Sequence, residues 1–160
     1  MNACRRAILA LEICARIVPG ALFLAAGWSK AGQTMQTLAS VYSYQIVLPD
    51  WLAEGIAVVL PWVEILLGAA LLAGVWPAVT LSAAGAVLAG FTALTAQAWW
   101  RELPVECGCF DFGAIHPSLA VLATTGGATI RNLVLLALVA LSAWIRFSRS
   151  GEAAGAKPPA

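Results

Sequence analysis

The sequence predicts an all-α, polytopic membrane protein, a bundle of four spanning helices with both termini on the cytoplasmic side. Three observations predict it. Hydrophobic residues make up 61 % of the 160 and charged residues only 11 %, for a mean hydropathy of +0.87, whereas soluble domains carry about 25 % charged residues. The apolar residues gather into four segments, each near the roughly 20 residues that a helix needs to cross a hydrocarbon core of about 30 Å. Basic residues concentrate in the terminal flanks: Arg5 and Arg6 precede the first segment and Arg146, Arg149 and Lys157 follow the fourth, while the two longer loops carry only Lys30 and Arg101. That bias places the flanks inside. A net charge of +1 from scattered residues excludes a basic surface for nucleic acid, and the length allows one bundle and no second domain.

The first span covers about residues 7–27. Arg5 and Arg6 before an apolar run imitate a signal peptide, but Glu12 and Arg16 interrupt the run and no clear small-residue cleavage site follows, so the segment is read as a retained helix. Glu12, Arg16, Gly20, Phe23, Gly27 and Lys30 recur every three or four residues and share one face. Charges in lipid are costly, so that face looks into the bundle. Residues 30–50 form a first loop. The second span, 51–74, contains Pro61-Trp62-Val63-Glu64, where the proline frees a carbonyl near a buried carboxylate. Arg16 and Glu64 each lie roughly 15–20 Å from a membrane surface at 1.5 Å of rise per residue, which predicts an Arg16–Glu64 ion pair.

Val75-Trp76-Pro77 is a tight hairpin leading into the third span, 76–100. A second loop, 101–117, precedes the fourth span, 120–146, in which Arg131 lies nearest the outer surface, within reach of a ligand head group, Asp111 or the loop. Residues 1–147 thus form one transmembrane domain, and the small, polar, proline-ended stretch 148–160 reads as a disordered tail. Trp51, Trp76, Trp99, Trp100 and Trp144 fall at helix ends as interfacial anchors. Gly68 with Gly74, and Gly85 with Gly90, allow close helix approach.

The stretch with chemistry is Cys107-Gly108-Cys109-Phe110-Asp111-Phe112-Gly113, which the topology puts outside the membrane. Two cysteines one residue apart bridge only if the backbone folds back sharply, which the intervening glycine permits. Such a disulfide is strained, hence easily reduced and prone to exchange. Glu106 and Asp111 beside the pair disfavour a thiolate, so the site exchanges slowly and depends on its partner. Cys4 and Cys14 make no second pair and read as ordinary residues. The charged set Arg16, Lys30, Glu64 and Arg131 admits two readings: ion pairs that fix helix register, or the lining of a cavity for a quinone-like or anionic ligand.

Arg16 followed by Phe23, Ala26-Gly27 and Lys30, then Pro61-Trp62-Val63-Glu64 with Gly68, then Cys107-Gly108-Cys109-Phe110 with Gly113, then Arg131-Asn132, resembles the MauE/DoxX-like family of small four-helix membrane proteins. The Cys-Gly-Cys-Phe loop marks its MauE-like branch. The loop departs from the expected pattern in carrying Asp111 where glycine would follow Cys-Phe directly. The resemblance implies a redox-associated protein of a bacterial inner membrane, tied in methylamine utilisation to maturation of a disulfide-rich dehydrogenase subunit beside a thioredoxin-like partner.

Together these readings predict that Cys107 and Cys109 exchange thiol and disulfide at the periplasmic face with a thioredoxin-like protein or a disulfide-containing client. Electrons would pass to a membrane quinone held near Arg16, Lys30, Glu64 and Arg131. A partner would dock on the cysteine loop and the first loop, where Tyr42 and Tyr44 serve either docking or interfacial anchoring. Two rivals stand beside this reading. One is a non-catalytic assembly subunit whose thiols only pin the loop. The other is a zinc or copper site made by Cys107, Cys109 and His116 with Asp111 as fourth ligand, although no metal is assigned.

Overall fold

The computed structural model describes residues 3–103, 105 and 124–155. Glu106, Cys107, Cys109, Asp111 and His116, with residues 156–160, lie outside the described residues. Among the described residues five helices follow one another: α1 (Ala3–Ala31), α2 (Thr34–Ser43), α3 (Asp50–Ala73), α4 (Pro77–Trp100) and α5 (Thr125–Gly155). There is no strand among the described residues. Four of the helices are long and apolar enough to cross a membrane, over Arg6–Ala31, Asp50–Ala73, Pro77–Trp100 and Thr125–Ser148.

Local sequence explains the joints. Gly74 ends α3 in the left-handed region with φ of +70°, and the Gly74 and Val75 N–H groups both donate to the Ala70 carbonyl, closing the helix as a glycine C-cap does. Pro77 then opens α4 at its first turn, where a missing N–H costs nothing. Thr80 Oγ1 donates to the Val75 carbonyl at 2.7 Å and stitches the hairpin. At the far end of α5 the helix continues to Gly155, past residue 147 where the sequence reading closes the domain; Glu152, Ala153 and Ala154 are good helix formers that prolong a nucleated helix.

The stretch 30–50, read from sequence as a loop, contains α2. Ten residues make about 15 Å of helix, too short to span a membrane, and their mixed polarity escapes a hydropathy scan. Lys30 is likewise in the last turn of α1 and not in a loop.

α1 packs most extensively on α3, and α4 on α5, with α1 and α5 joining the two pairs; α3 and α4, although consecutive, touch least among the spanning neighbours. The core where the four meet is Phe23, Leu71, Leu81, Ala84, Leu88, Leu135 and Val139. The α1–α3 seam is tight because it is lined with glycine. A Cβ at Gly27 would lie 2.6 Å from the Pro61 carbonyl oxygen, and one at Gly68 would lie 2.5 Å from the Leu24 nitrogen. Gly85 and Gly90 have no such role, since a Cβ at Gly85 would make only ordinary contact with Val139 and one at Gly90 would meet nothing. Outward-facing residues are apolar: Val59, Trp62 and Leu66 on α3 and Ile130, Leu133 and Val134 on α5 are exposed. On a soluble protein such belts would be aggregation surfaces; here they meet lipid.

Candidate functional site

The inward face of α1 carries the charges. Glu12, Gly20, Phe23, Gly27 and Lys30 are buried and Arg16 is half-buried. Each charge meets a different environment. Near the terminal end, Glu12 Oε1 accepts from Arg146 Nη1 on α5 at 3.3 Å.

Arg16 does not reach Glu64. In the antiparallel α1–α3 pair Gly20 faces Leu71 and Gly27 faces Pro61 and Ile65, so Arg16 comes to Gly74, against which its guanidinium packs. Gly74 lies ten residues beyond Glu64, about 15 Å along the helix. The expected Arg16–Glu64 pair is therefore corrected by register. Arg16 instead places its cation at the C-terminal end of α3, where the last carbonyls favour positive charge, and its Nε finds no hydrogen-bond partner among the described residues.

The partner of Glu64 is Lys30. Lys30 Nζ donates to Glu64 Oε1 at 2.7 Å, with the two side chains 9 % and 2 % exposed. Side chains lean toward the N-terminus of their own helix, and because α1 and α3 run oppositely, Lys30 and Glu64 lean toward each other. The ammonium also lies 5.3 Å from the centroid of the Phe91 ring on α4, a cation–π distance. Glu64 Oε2 has no hydrogen-bond partner among the described residues.

Beside this pair is a chamber of about 360 Å³, within the range of pockets that hold small molecules. All five helices line it. Lys30 stands on one wall, and Arg131 and Asn132 stand on α5. Ile56 and Leu60 of α3 and Phe91, Leu94 and Thr95 of α4 supply apolar surface and one hydroxyl. α2 closes one side with Gln36, Thr37 and Ser40, joined by its flanking residues Gln33 and Tyr44, a spacing of three and four that marks one helical face. Asn132 is 6 % exposed and lines the chamber.

The surrounding connections are pinned. Tyr42 on α2 donates its hydroxyl to Asp50 Oδ1 at 3.1 Å, and this bond to the carboxylate raises the phenol above its ordinary 10.0. Arg101, just past α4, donates to the Gln45 carbonyl at 3.5 Å and to Gln45 Oε1 at 3.3 Å. Gln45 and Glu102 hold left-handed backbone, with φ of +50° and +51°, a strain of the kind stored at functional sites. Val105 is buried, so the chain leaves the described bundle anchored, and it returns at Thr124 before α5.

Of the six residues singled out from sequence, Lys30, Glu64 and Arg131 are brought to one end, Arg16 lies at the other, and the two cysteines lie outside the described residues. Phe91, Thr95 and the α2 face were not singled out. The three-and-four spacing of Gln33, Gln36, Ser40 and Tyr44 was the available signal.

A membrane bundle of four spans, with a buried ion pair and a ligand-sized chamber at one end, defines a multi-pass membrane protein built around an internal site. Residues 6–145 match the family model described as methylamine utilisation protein MauE, and the chain belongs to that family. No curated protein and no solved structure matches it significantly.

Proposed function

We propose that this protein is a bacterial inner-membrane accessory factor for maturation of a disulfide-containing protein in methylamine utilisation, and that Cys107 and Cys109 carry its chemistry by thiol–disulfide exchange. Both termini are cytoplasmic and the cysteine segment is periplasmic in this reading. The observation that supports it is the Cys107-Gly108-Cys109 pair, which the sequence places between the third and fourth spans. Membership of the MauE family supports the accessory role.

A thiolate of a client or a thioredoxin-like partner attacks one sulfur of the Cys107–Cys109 disulfide and releases the other as a thiolate. The second partner thiol then resolves the mixed disulfide. The partner gains a disulfide, the pair becomes a dithiol, and two electrons with two protons have moved to this protein. Restoring the disulfide requires a two-electron acceptor in the membrane, of which a quinone is the simplest class.

The test is Cys107→Ser and Cys109→Ser, each assayed for maturation of the client in cells and for mixed disulfides by acid quenching and alkylation. Each substitution is expected to abolish maturation, and one of them to accumulate a partner-linked adduct that a reductant releases. Unchanged maturation with both substitutions would sink the thiol mechanism.

A further inference from the structure

We propose that the chamber binds the head group of a membrane quinone, which enters sideways from the bilayer between α3 and α4. This inference rests on the thiol-exchange reading for its role, although the binding site stands on described residues alone.

Shape and access come first. The chamber lies between Ile56 and Leu60 of α3 and Leu94 of α4, two helices that pack on each other less than any other spanning neighbours. α2 covers the chamber on another side. A ligand with an apolar tail can therefore seat its head inside while its tail stays in lipid. Phe91 offers an aromatic face for a flat ring.

Polarity then selects the class. Hydrogen-bond donors stand on separate helices, with the Lys30 ammonium on α1 and the Asn132 amide and Arg131 guanidinium on α5, and apolar side chains between. That arrangement suits a molecule with a carbonyl acceptor at each end and a nonpolar middle, as a para-quinone has. Asn132 is the sharpest indicator, a residue 6 % exposed whose side chain lines the chamber and brings an amide donor into it. The charge of Lys30 is already met by Glu64 at 2.7 Å, so its ammonium acts toward a ligand as a hydrogen-bond donor more than as a free cation. The balance also closes without another reactant: dithiol plus quinone gives disulfide plus quinol, the two thiols supplying both electrons and both protons.

The experiment titrates purified full-length protein with decylubiquinone, a short-tailed benzoquinone, by isothermal titration calorimetry in detergent. Saturable binding is expected, weakened at least tenfold by Asn132→Leu and by Leu94→Trp, which fills the chamber. Gly90→Ala, where a Cβ meets nothing, should bind as the unsubstituted protein does. Thermal unfolding of each variant establishes that it is folded, and Leu94→Trp carries the test if Asn132→Leu does not fold. Native mass spectrometry of gently extracted protein should find quinone; phospholipid in its place, or decylubiquinone affinity unmoved by Leu94→Trp, would overturn the proposal. The Cys107→Ser/Cys109→Ser double variant should still bind decylubiquinone. Binding without any need for the cysteines in maturation would remove the thiol reading alone, whereas cysteine-dependent maturation without binding would remove the quinone site alone.

Discussion

Replacing Lys30 with methionine removes a cation while keeping an unbranched side chain of similar length. The effect follows from the geometry: Lys30 Nζ is 2.7 Å from Glu64 Oε1, and the two side chains are 9 % and 2 % exposed. Removing one partner of a buried ion pair costs about 3–5 kcal/mol, because the other charge stays desolvated and alone, whereas replacing both by apolar residues is about neutral. For a chain of this size each kcal/mol moves the midpoint by about 2–4 °C, so Lys30→Met should lower it by roughly 6–20 °C. Glu64→Gln should cost less, since Lys30 keeps Phe91 at 5.3 Å and lies in the last turn of α1, where helix carbonyls favour a cation. The double variant Lys30→Met/Glu64→Leu should recover most of the loss. The assay is thermal unfolding in detergent, followed by tryptophan fluorescence across the cycle of unsubstituted protein, Lys30→Met, Glu64→Leu and the double variant. A coupling energy under about 0.5 kcal/mol would show that the two residues act independently and refute the pairing as the source of stability.

Two further outcomes follow from the same structure. Gly27→Ala and Gly90→Ala should move the thermal midpoint in opposite directions: the first brings a Cβ to 2.6 Å from the Pro61 carbonyl oxygen and 2.8 Å from the Ile65 nitrogen, an overpacking worth about 1–3 kcal/mol, while the second meets nothing and gains about 0.5–1 kcal/mol of helix propensity. The Tyr42 phenol, raised above 10.0 by its bond to Asp50, should lend stability that is fully present below pH 10.0 and lost as pH rises through the higher folded value. An ultraviolet phenolate titration of the protein against Tyr42→Phe should therefore show one tyrosine ionising late.

The spans were legible because hydropathy at helical length is a strong signal, and the inward face of α1 was legible because lipid penalises charges strongly enough to fix which way they point. Pairing between helices was not. Arg16 and Glu64 look level when each span is measured from its own sequence boundary, but the seam is set by glycines at 20, 27 and 68, which admit backbone contact only at certain heights. That register carries Arg16 to Gly74 and leaves Glu64 to Lys30. α2 was hidden for a different reason: its residues cover a chamber instead of crossing lipid, so its apolar content is too low to stand out from a loop. Phe91 and Thr95 became site residues only through the position of α4 against α1 and α5, which no local pattern encodes.

The two ends of the bundle are built differently, and the difference bears on where chemistry can occur. At the terminal end, Glu12 is joined to Arg146, Arg16 is packed on the Gly74 cap, and the hairpin is stitched by Thr80. Those contacts tie α1 to α5 and α3 to α4. At the other end, among the described residues, the helices surround the chamber and are joined by α2, the Lys30–Glu64 pair and the bonds from Tyr42 and Arg101. Lys30 and Glu64 sit at the boundary between these regions. A ligand that entered the chamber would meet Lys30, Arg131 and Asn132 on its walls, beside connections in which Gln45 and Glu102 hold left-handed backbone. Thiol exchange needs a segment that can accept a partner, and electron transfer needs an acceptor that cannot drift. On the proposed reading, the chamber would hold the acceptor while the segment carrying Cys107 and Cys109 meets the partner.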